Sequence, residues 1–247
     1  MKHAKSGVGQ SRQKNPINKP TIKLWFIDLD DTVMESSGGM LHAIHLRMNV
    51  FIRDILNVTW EEADRLRKRY WALYGSTFIG MWRHHHIDPR VFLPATHDFD
   101  FSSYVRAQGS PRQDLKLLKA SGAKVVLFTN GPRHYAEVAI ALLGLSGIFD
   151  SVITSTEMRI FGEWEPKPSI RMLRGLCSRL HVKPSEAAIV DDSLMNLRTA
   201  KRMGMRTFWC TGCRVRHGKL THRRLALGVD HVVVRLRDLS RFVSAYS

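Results

Sequence analysis

The stretch Leu24-Trp25-Phe26-Ile27-Asp28-Leu29-Asp30-Asp31-Thr32 restricts what this chain can fold into more than any other. Four bulky apolar residues in succession predict a strand covered on both faces, the setting of a parallel sheet. That strand runs directly into the carboxylates of Asp28, Asp30 and Asp31. Clustered negative charge at the end of a buried strand is opposed by mutual repulsion and by desolvation. A cation held among the carboxylates offsets both. Ligands of open parallel sheets bind beyond the carboxyl ends of the strands. The stretch therefore points to a divalent-metal site at a strand tip, with a water-exposed acidic turn as the competing reading.

From about residue 36 to 110 the pattern is helical: Leu41, Ile44, Met48, Phe51, Ile52 and Ile55 recur at helical spacing. Thr59-Trp60-Glu61-Glu62 predicts a capping box in which Thr59 and Glu62 satisfy each other's amides, and Gly75 closes that helix. The rhythm then changes to strand–helix alternation. Strands are predicted at Lys124–Phe128, Ser151–Thr154, Ala187–Val190, Met205–Trp209 and His231–Arg235. Helices are predicted from Pro111 to Gly122, Pro132 to Gly144, Ser169 to Leu180, Ser193 to Met203 and Asp238 to Tyr246. Such alternation implies an α/β fold, a Rossmann-like parallel sheet with helices on both faces. The expected layout is a basic tail (1–20), a core (21–35 and 111–247) and an all-helical cap inserted after the first strand (36–110).

Several predicted strands end in reactive residues. The first ends at Asp28 and Asp30, the second at Thr129, and a later one at Asp191-Asp192-Ser193. Glu165-Pro166-Lys167-Pro168 sets one lysine between prolines that favour extended backbone. Carboxylates from two strand tips can share one Mg²⁺, which takes oxygen ligands and keeps waters and phosphate oxygens. Lys167 as a point charge, Thr129 as a hydroxyl donor and free amides near Pro132 suit a phosphate. The set describes phosphoryl transfer.

Asp28-x-Asp30-x-Thr32, Thr129, Lys167 and Asp191-Asp192, in that order, resemble the four motifs of the haloacid dehalogenase (HAD) superfamily over about residues 22–210. The resemblance implies that Asp28 is the nucleophile and forms an aspartyl-phosphate. Asp30 then acts as general acid and base. It implies Mg²⁺ held by Asp28, the Asp30 carbonyl and Asp192, with Asp191 assisting directly or through water. Thr129, Asn130 and Lys167 would bind the phosphoryl group. Metal and Lys167 are expected to keep the Asp28 pKa low. Dehalogenases lack an aspartate two positions after the nucleophile, so Asp30 favours phosphate chemistry. Where the family usually carries Asn or Gly after that second aspartate, Asp31 stands here.

The insertion has the position of a C1 cap. Tyr74-Gly75-Ser76-Thr77-Phe78-Ile79-Gly80-Met81, Thr129 to Tyr135, and Asp191-Asp192-Ser193 with Asn196 are similar to the pyrimidine 5′-nucleotidase family. That resemblance implies hydrolysis of pyrimidine nucleoside 5′-monophosphates, with Tyr74, Ser76, Thr77 and Phe78 over the base. Packing of the cap helices accounts for the same residues. Arg133 and His134 either meet the substrate or lie on a solvated helix face. Another small phosphate ester, phosphoglycolate or a sugar phosphate, is the alternative substrate. A non-catalytic RNA-binding or scaffolding role through the basic ends is the rival from another class.

The net charge of +16 is unevenly placed. Residues 1–23 hold six Lys/Arg and no acid, and residues 198–247 hold twelve against two acids, while the remainder is neutral. The excess sits at the ends rather than in a patch interleaved with aromatics, which argues against a dedicated nucleic-acid site. No apolar run approaches the roughly 18 residues that span a bilayer. The polar first twenty residues do not resemble a secretory signal, and three cysteines in 247 residues make no disulfide framework. A cytoplasmic monomer or homodimer acting on a small phosphorylated metabolite is expected. Cys210 and Cys213 with His217 and His222 have zinc-ligand types but the wrong spacing, His84-His85-His86 reads as a solvated loop, and Cys177 as a small core residue.

Overall fold

Side chains of a strand alternate between its two faces. Along β1 (Leu24–Ile27) this sends Trp25 and Ile27 into one apolar cluster and Leu24 and Phe26 into another, all essentially inaccessible to water. The computed structural model describes residues 21–213 and 228–243. In it β1 is central to a six-stranded sheet with β2 (Lys124–Phe128), β3 (Ser151–Ile153), β6 (Ala187–Asp191), β7 (Arg206–Cys210) and β8 (His231–Val233). The order is β3-β2-β1-β6-β7-β8 and every pairing is parallel. The chain order reverses direction beside β1, where ligands of such sheets bind.

Helices α5 (Pro111–Ala120) and α6 (Arg133–Leu142) contribute Leu115, Leu118, Ala136 and Ala139 to the cluster on one face. On the opposite face α7 (Ile170–Arg179) and α8 (Leu194–Arg202) supply Met172, Leu173, Leu176, Leu197 and Ala200. Cys177 lies in that second cluster, as a small core residue should.

Between β1 and α5 stand α1 (Met40–Leu56), α2 (Trp60–Tyr74), α3 (Thr77–His85) and α4 (Pro89–His97), an all-helical insertion with its own apolar cluster. A short hairpin, β4 (Arg159–Ile160) and β5 (Glu163–Trp164), was not legible in the sequence. Its turn places Phe161 and Gly162 both at positive φ, and Trp164 packs edge-on against Phe78 of α3 at 6.2 Å. The hairpin thereby ties the insertion to the core.

Three expectations need correction. Thr59 accepts from the Glu62 amide at 3.2 Å, but the Glu62 carboxylate pairs with Arg65 at 2.5 Å, so the capping box is half formed. The predicted terminal helix from Asp238 is a 3₁₀ turn (Leu236–Leu239) and one α turn (Ser240–Val243), its remainder lying outside the described residues. His84 and His85 are not a solvated loop. His84 stacks on Tyr70 at 5.2 Å, and the hydroxyls of Tyr74 and Tyr70 lie 2.8 and 2.6 Å from the Nε2 atoms of His84 and His85.

Gly80 allows that arrangement: a Cβ there would lie 2.0 Å from Cγ of Tyr70. Gly80→Ala should cost about 1–3 kcal/mol through overpacking, read as a lower urea midpoint. A second prediction concerns acid. Burial holds the His97 imidazole down at about 4, although its Nδ1 lies 3.1 Å from the Leu93 carbonyl. Below its ordinary value the unfolded chain takes the proton first, so this stability is full above about pH 6.5 and lost as pH falls toward 4. At pH 5 His97 should account for about 2 kcal/mol of acid destabilisation. His97→Gln should flatten the difference between urea curves at pH 7.5 and 5.

Candidate active site

The register of the sheet delivers the reactive residues to one place. Ile27 pairs with Val190 and Leu127, and the Asp28 amide donates to the Val190 carbonyl at 3.0 Å. Asp28, Thr129 and Asp191-Asp192 therefore sit at the tips of three neighbouring strands. Oxygens of Asp28, Asp191 and Asp192 lie within 4.8 Å of one another.

Lys167 arrives from the loop after β5. Its ammonium donates to Asp28 Oδ1 at 2.6 Å and to Asp191 Oδ2 at 2.8 Å, and lies 5.4 Å from the Phe128 ring centroid. Only 4% of Lys167 is exposed, so it is no solvated loop lysine. Asn130 fixes the loop's backbone: its Oδ1 accepts from the Lys167 amide at 2.8 Å and its Nδ2 donates to the Lys167 carbonyl at 2.9 Å. Both ends of the Asn130 amide are thus committed to positioning Lys167. Thr129 is buried, and its Oγ1 accepts from the Gly131 amide at 3.0 Å, bending the chain off β2.

The Asp191 carboxylate is held by more than Lys167. Oδ1 accepts from the Ser193 amide at 2.8 Å, and both oxygens accept from Asn196 Nδ2 at 3.0 Å. Trp209 Nε1 donates to the Asp192 carbonyl at 2.9 Å, anchoring the next residue of the tip.

Two partners of Asp30 escaped sequence reasoning. Ser36 Oγ donates to Asp30 Oδ1 at 2.6 Å and the Tyr135 hydroxyl to the same oxygen at 2.5 Å. Both are buried, and neither position is periodic with Asp30 in the sequence. Asp31 adopts a left-handed conformation (φ 54°), which Asn, Asp and Gly tolerate best. Its Oδ1 accepts from the amides of Ser36 and Ser37 at 2.8 and 2.9 Å, so the departure at this position is met locally.

Burial pushes the Asp28 carboxyl well up, with Asp191, Asp192 and Asp30 adding to it against the pull of Lys167. Lys167 by itself is outweighed by desolvation and three carboxylates, so the low pKa expected for Asp28 depends on the metal as well. Burial also raises Asp30, against the hydrogen bonds from Ser36 and Tyr135. For Lys167 burial favours the neutral amine, but Asp191 and Asp28 outweigh it and raise the pKa. Buried carboxylates in excess of buried ammonium are a donor set of hard oxygens that fits Mg²⁺.

Among the cap residues, Thr77 Oγ1 donates to the Arg67 carbonyl at 3.3 Å and Phe78 belongs to the apolar cluster of the insertion. Tyr74 and Ser76 flank Gly75, where a Cβ would lie 2.8 Å from Cδ of Pro168 and 3.3 Å from the Lys167 carbonyl. Arg133 neither meets this site nor lies free on a helix face: it pairs with Glu157 at 2.8 Å and Glu137 at 3.1 Å and donates to the Val152 carbonyl. His134 is exposed, 3.9 Å from Asp98. Cys210 and Cys213 are buried at opposite ends of the Gln108 amide, and burial pushes the Cys210 thiol up to about 12. That disfavours the thiolate zinc needs. His217 and His222 lie outside the described residues.

Residues 22–204 match the family model of the haloacid dehalogenase-like hydrolases, and the chain belongs to that family. It is 26% identical over 201 residues to phosphate metabolism protein 8 of Saccharomyces cerevisiae, covering 78% of this chain and 62% of that protein. It is 27% identical over 233 residues to a glyceraldehyde 3-phosphate phosphatase of Pyrococcus furiosus, covering 88% and 91% of the two chains. The structure of CbbY from Rhodobacter sphaeroides in complex with phosphate superimposes with a TM-score of 0.60 at 21% identity, covering 88% of this chain and 96% of that one. Among the described residues no helix is long and apolar enough to cross a membrane.

Removing Lys167 leaves two buried carboxylates facing each other. Lys167→Met should lower stability in chelator-treated protein by about 3–5 kcal/mol, measured by urea unfolding.

Proposed function

We propose that the chain is a Mg²⁺-dependent phosphatase that hydrolyses pyrimidine nucleoside 5′-monophosphates to nucleoside and phosphate. The observation that carries the reaction class is the Lys167 ammonium bridging Asp28 and Asp191, with Asp192 within the same 4.8 Å cluster. Asp28, Asp192 and the Asp30 carbonyl would hold the ion, with Asp191 oriented beside them by Ser193 and Asn196. Bound Mg²⁺ would supply positive charge that keeps Asp28 ionised and offsets the phosphoryl oxygens.

The chain's own residues then divide the work. An Asp28 carboxylate oxygen attacks phosphorus, and the bond from phosphorus to the ester oxygen breaks. Asp30, whose hold on a proton burial strengthens, gives that proton to the departing oxygen. In the second step the Asp30 carboxylate takes a proton from water, whose oxygen attacks phosphorus and frees Asp28. Lys167, the Thr129 hydroxyl and the backbone at Asn130 bind the transferring group. Ser36 and Tyr135 hold Asp30 in one orientation throughout. Closure of the helical insertion excludes bulk water from the aspartyl-phosphate.

The pyrimidine assignment rests on the cap sequence around Tyr74 and Ser76, which meets the loop carrying Lys167. A smaller phosphate ester is the second reading, favoured by the likeness to an archaeal glyceraldehyde 3-phosphate phosphatase. UMP and CMP should be hydrolysed with kcat/KM at least roughly tenfold above phosphoglycolate and glyceraldehyde 3-phosphate, a difference of about 1.4 kcal/mol. The reverse order would overturn the pyrimidine assignment and leave the phosphatase intact. EDTA should abolish turnover, and Asp28→Asn should lower kcat by roughly 10³-fold or more. No hydrolysis of any ester with Mg²⁺ would favour a non-catalytic role. Tyr135→Phe should lower kcat by about tenfold with KM little changed, since it frees Asp30 without touching the phosphate.

A further inference from the structure

Between the tip of β1 and the first helix of the insertion the chain has only residues 28–39 in which to turn. It begins tightly: the amides of Val33 and Met34 both donate to the Leu29 carbonyl, at 2.9 and 3.1 Å. The segment returning from the insertion then pairs with it. The Glu35 amide donates to the Arg106 carbonyl at 2.9 Å, and the Gln108 amide to the Val33 carbonyl at 3.0 Å. The two crossings between insertion and core are thus zipped together as far as Glu35. Ser36 is the next residue.

Ser36 is attached to both bodies. Its carbonyl accepts from the Leu41 amide of α1 at 3.0 Å, while its hydroxyl donates to Asp30 Oδ1 at 2.6 Å. Asp31 supplies the hold on the core side. Its Oδ1 accepts from the amides of Ser36 and Ser37 at 2.8 and 2.9 Å, and its Oδ2 accepts from the Ser37 hydroxyl. Asp31 and Ser36 are buried, so water competes little for these bonds. An aspartate that merely shapes a turn bonds about two residues ahead. These amides lie five and six residues ahead, at the residue that meets Asp30 and the one after it.

We propose that Asp31 is a positioning residue for the general acid, a role that rests on the phosphatase reading above. Ser36 tied only to α1 would follow the insertion as it opens and closes. By gripping the Ser36 and Ser37 amides, Asp31 keeps the Ser36 hydroxyl on Asp30 through that movement, so the proton leaves along one line. Tyr135 holds the same oxygen from α6, which belongs to the core, and needs no such clamp.

The test compares leaving groups. UMP loses an alkoxide oxygen that needs the Asp30 proton, whereas p-nitrophenyl phosphate loses a stabilised phenolate that does not. kcat/KM reports the step in which that bond breaks, apart from the later attack of water. Asp31→Gly keeps the left-handed turn and removes the acceptor. It should lower kcat/KM for UMP at least roughly tenfold, and that for p-nitrophenyl phosphate by less than about threefold. The ratio of the two is independent of the fraction folded, so partial unfolding does not imitate the effect. Asp31→Asn retains Oδ1 and should stay within about threefold of wild type for both esters. Ser36→Ala should reproduce the selective loss, and adding Asp31→Gly to it should cost no more than about twofold further, since Asp31 acts through Ser36. Equal losses for both esters, including complete loss, would overturn the inference and make Asp31 a structural residue. No selective loss, failure of Asp31→Asn to restore it, or fully additive effects would also overturn it. Each of these leaves the phosphatase reading standing. Should the wild type prefer glyceraldehyde 3-phosphate, that alkyl ester replaces UMP and the outcomes are the same. Wild-type protein that hydrolyses no ester would overturn both readings together.

Discussion

One ammonium between two carboxylates is the interaction on which the site depends. Lys167 joins Asp28 on β1 to Asp191 on β6, so a single point charge holds together the tips of adjacent strands. In water such pairs contribute little, but here all three groups are buried and each needs the others. Asn130 grips the backbone on both sides of that lysine, and Asn196 and the Ser193 amide grip Asp191. The charged groups at the strand tips are therefore held by hydrogen bonds from Asn130, Ser193 and Asn196 as well as by one another.

The carboxylates divide by environment rather than by type. Asp28 faces Lys167 and the carboxylates of Asp191 and Asp192, whereas Asp30 accepts from the hydroxyls of Ser36 and Tyr135. Burial raises both carboxyls; Lys167 opposes that at Asp28, and the two hydroxyl donors oppose it at Asp30. Two aspartates two positions apart thus sit in different surroundings, one among charges and one among hydroxyls.

Much of this was legible in the sequence because it lies at strand ends. The apolar run before Asp28, and those before Thr129 and Asp191, announce parallel strands, and the residues that follow such strands in an α/β sheet converge on one side. Ser36 and Tyr135 were not legible, because their partnership with Asp30 depends on how the loop after β1 and the helix after β2 return to the same point. The hairpin carrying Trp164 was missed because two-residue strands leave no period to detect. The half-formed cap at Thr59 shows a motif losing one partner to a neighbouring arginine. The histidines of α3 read as a loop, because nothing local reveals that Tyr70 stacks on His84 and that Tyr74 reaches its ring.

Gly75 ends α2 in a left-handed turn (φ 71°) and also touches the Lys167–Pro168 segment. A lone hydrogen atom thus sets the clearance between the helical lid and the loop that presents the ammonium. Any larger group would press on Pro168 and the Lys167 carbonyl and force the helical insertion away from that loop. How closely the insertion seats on the core is decided by the smallest side chain of all.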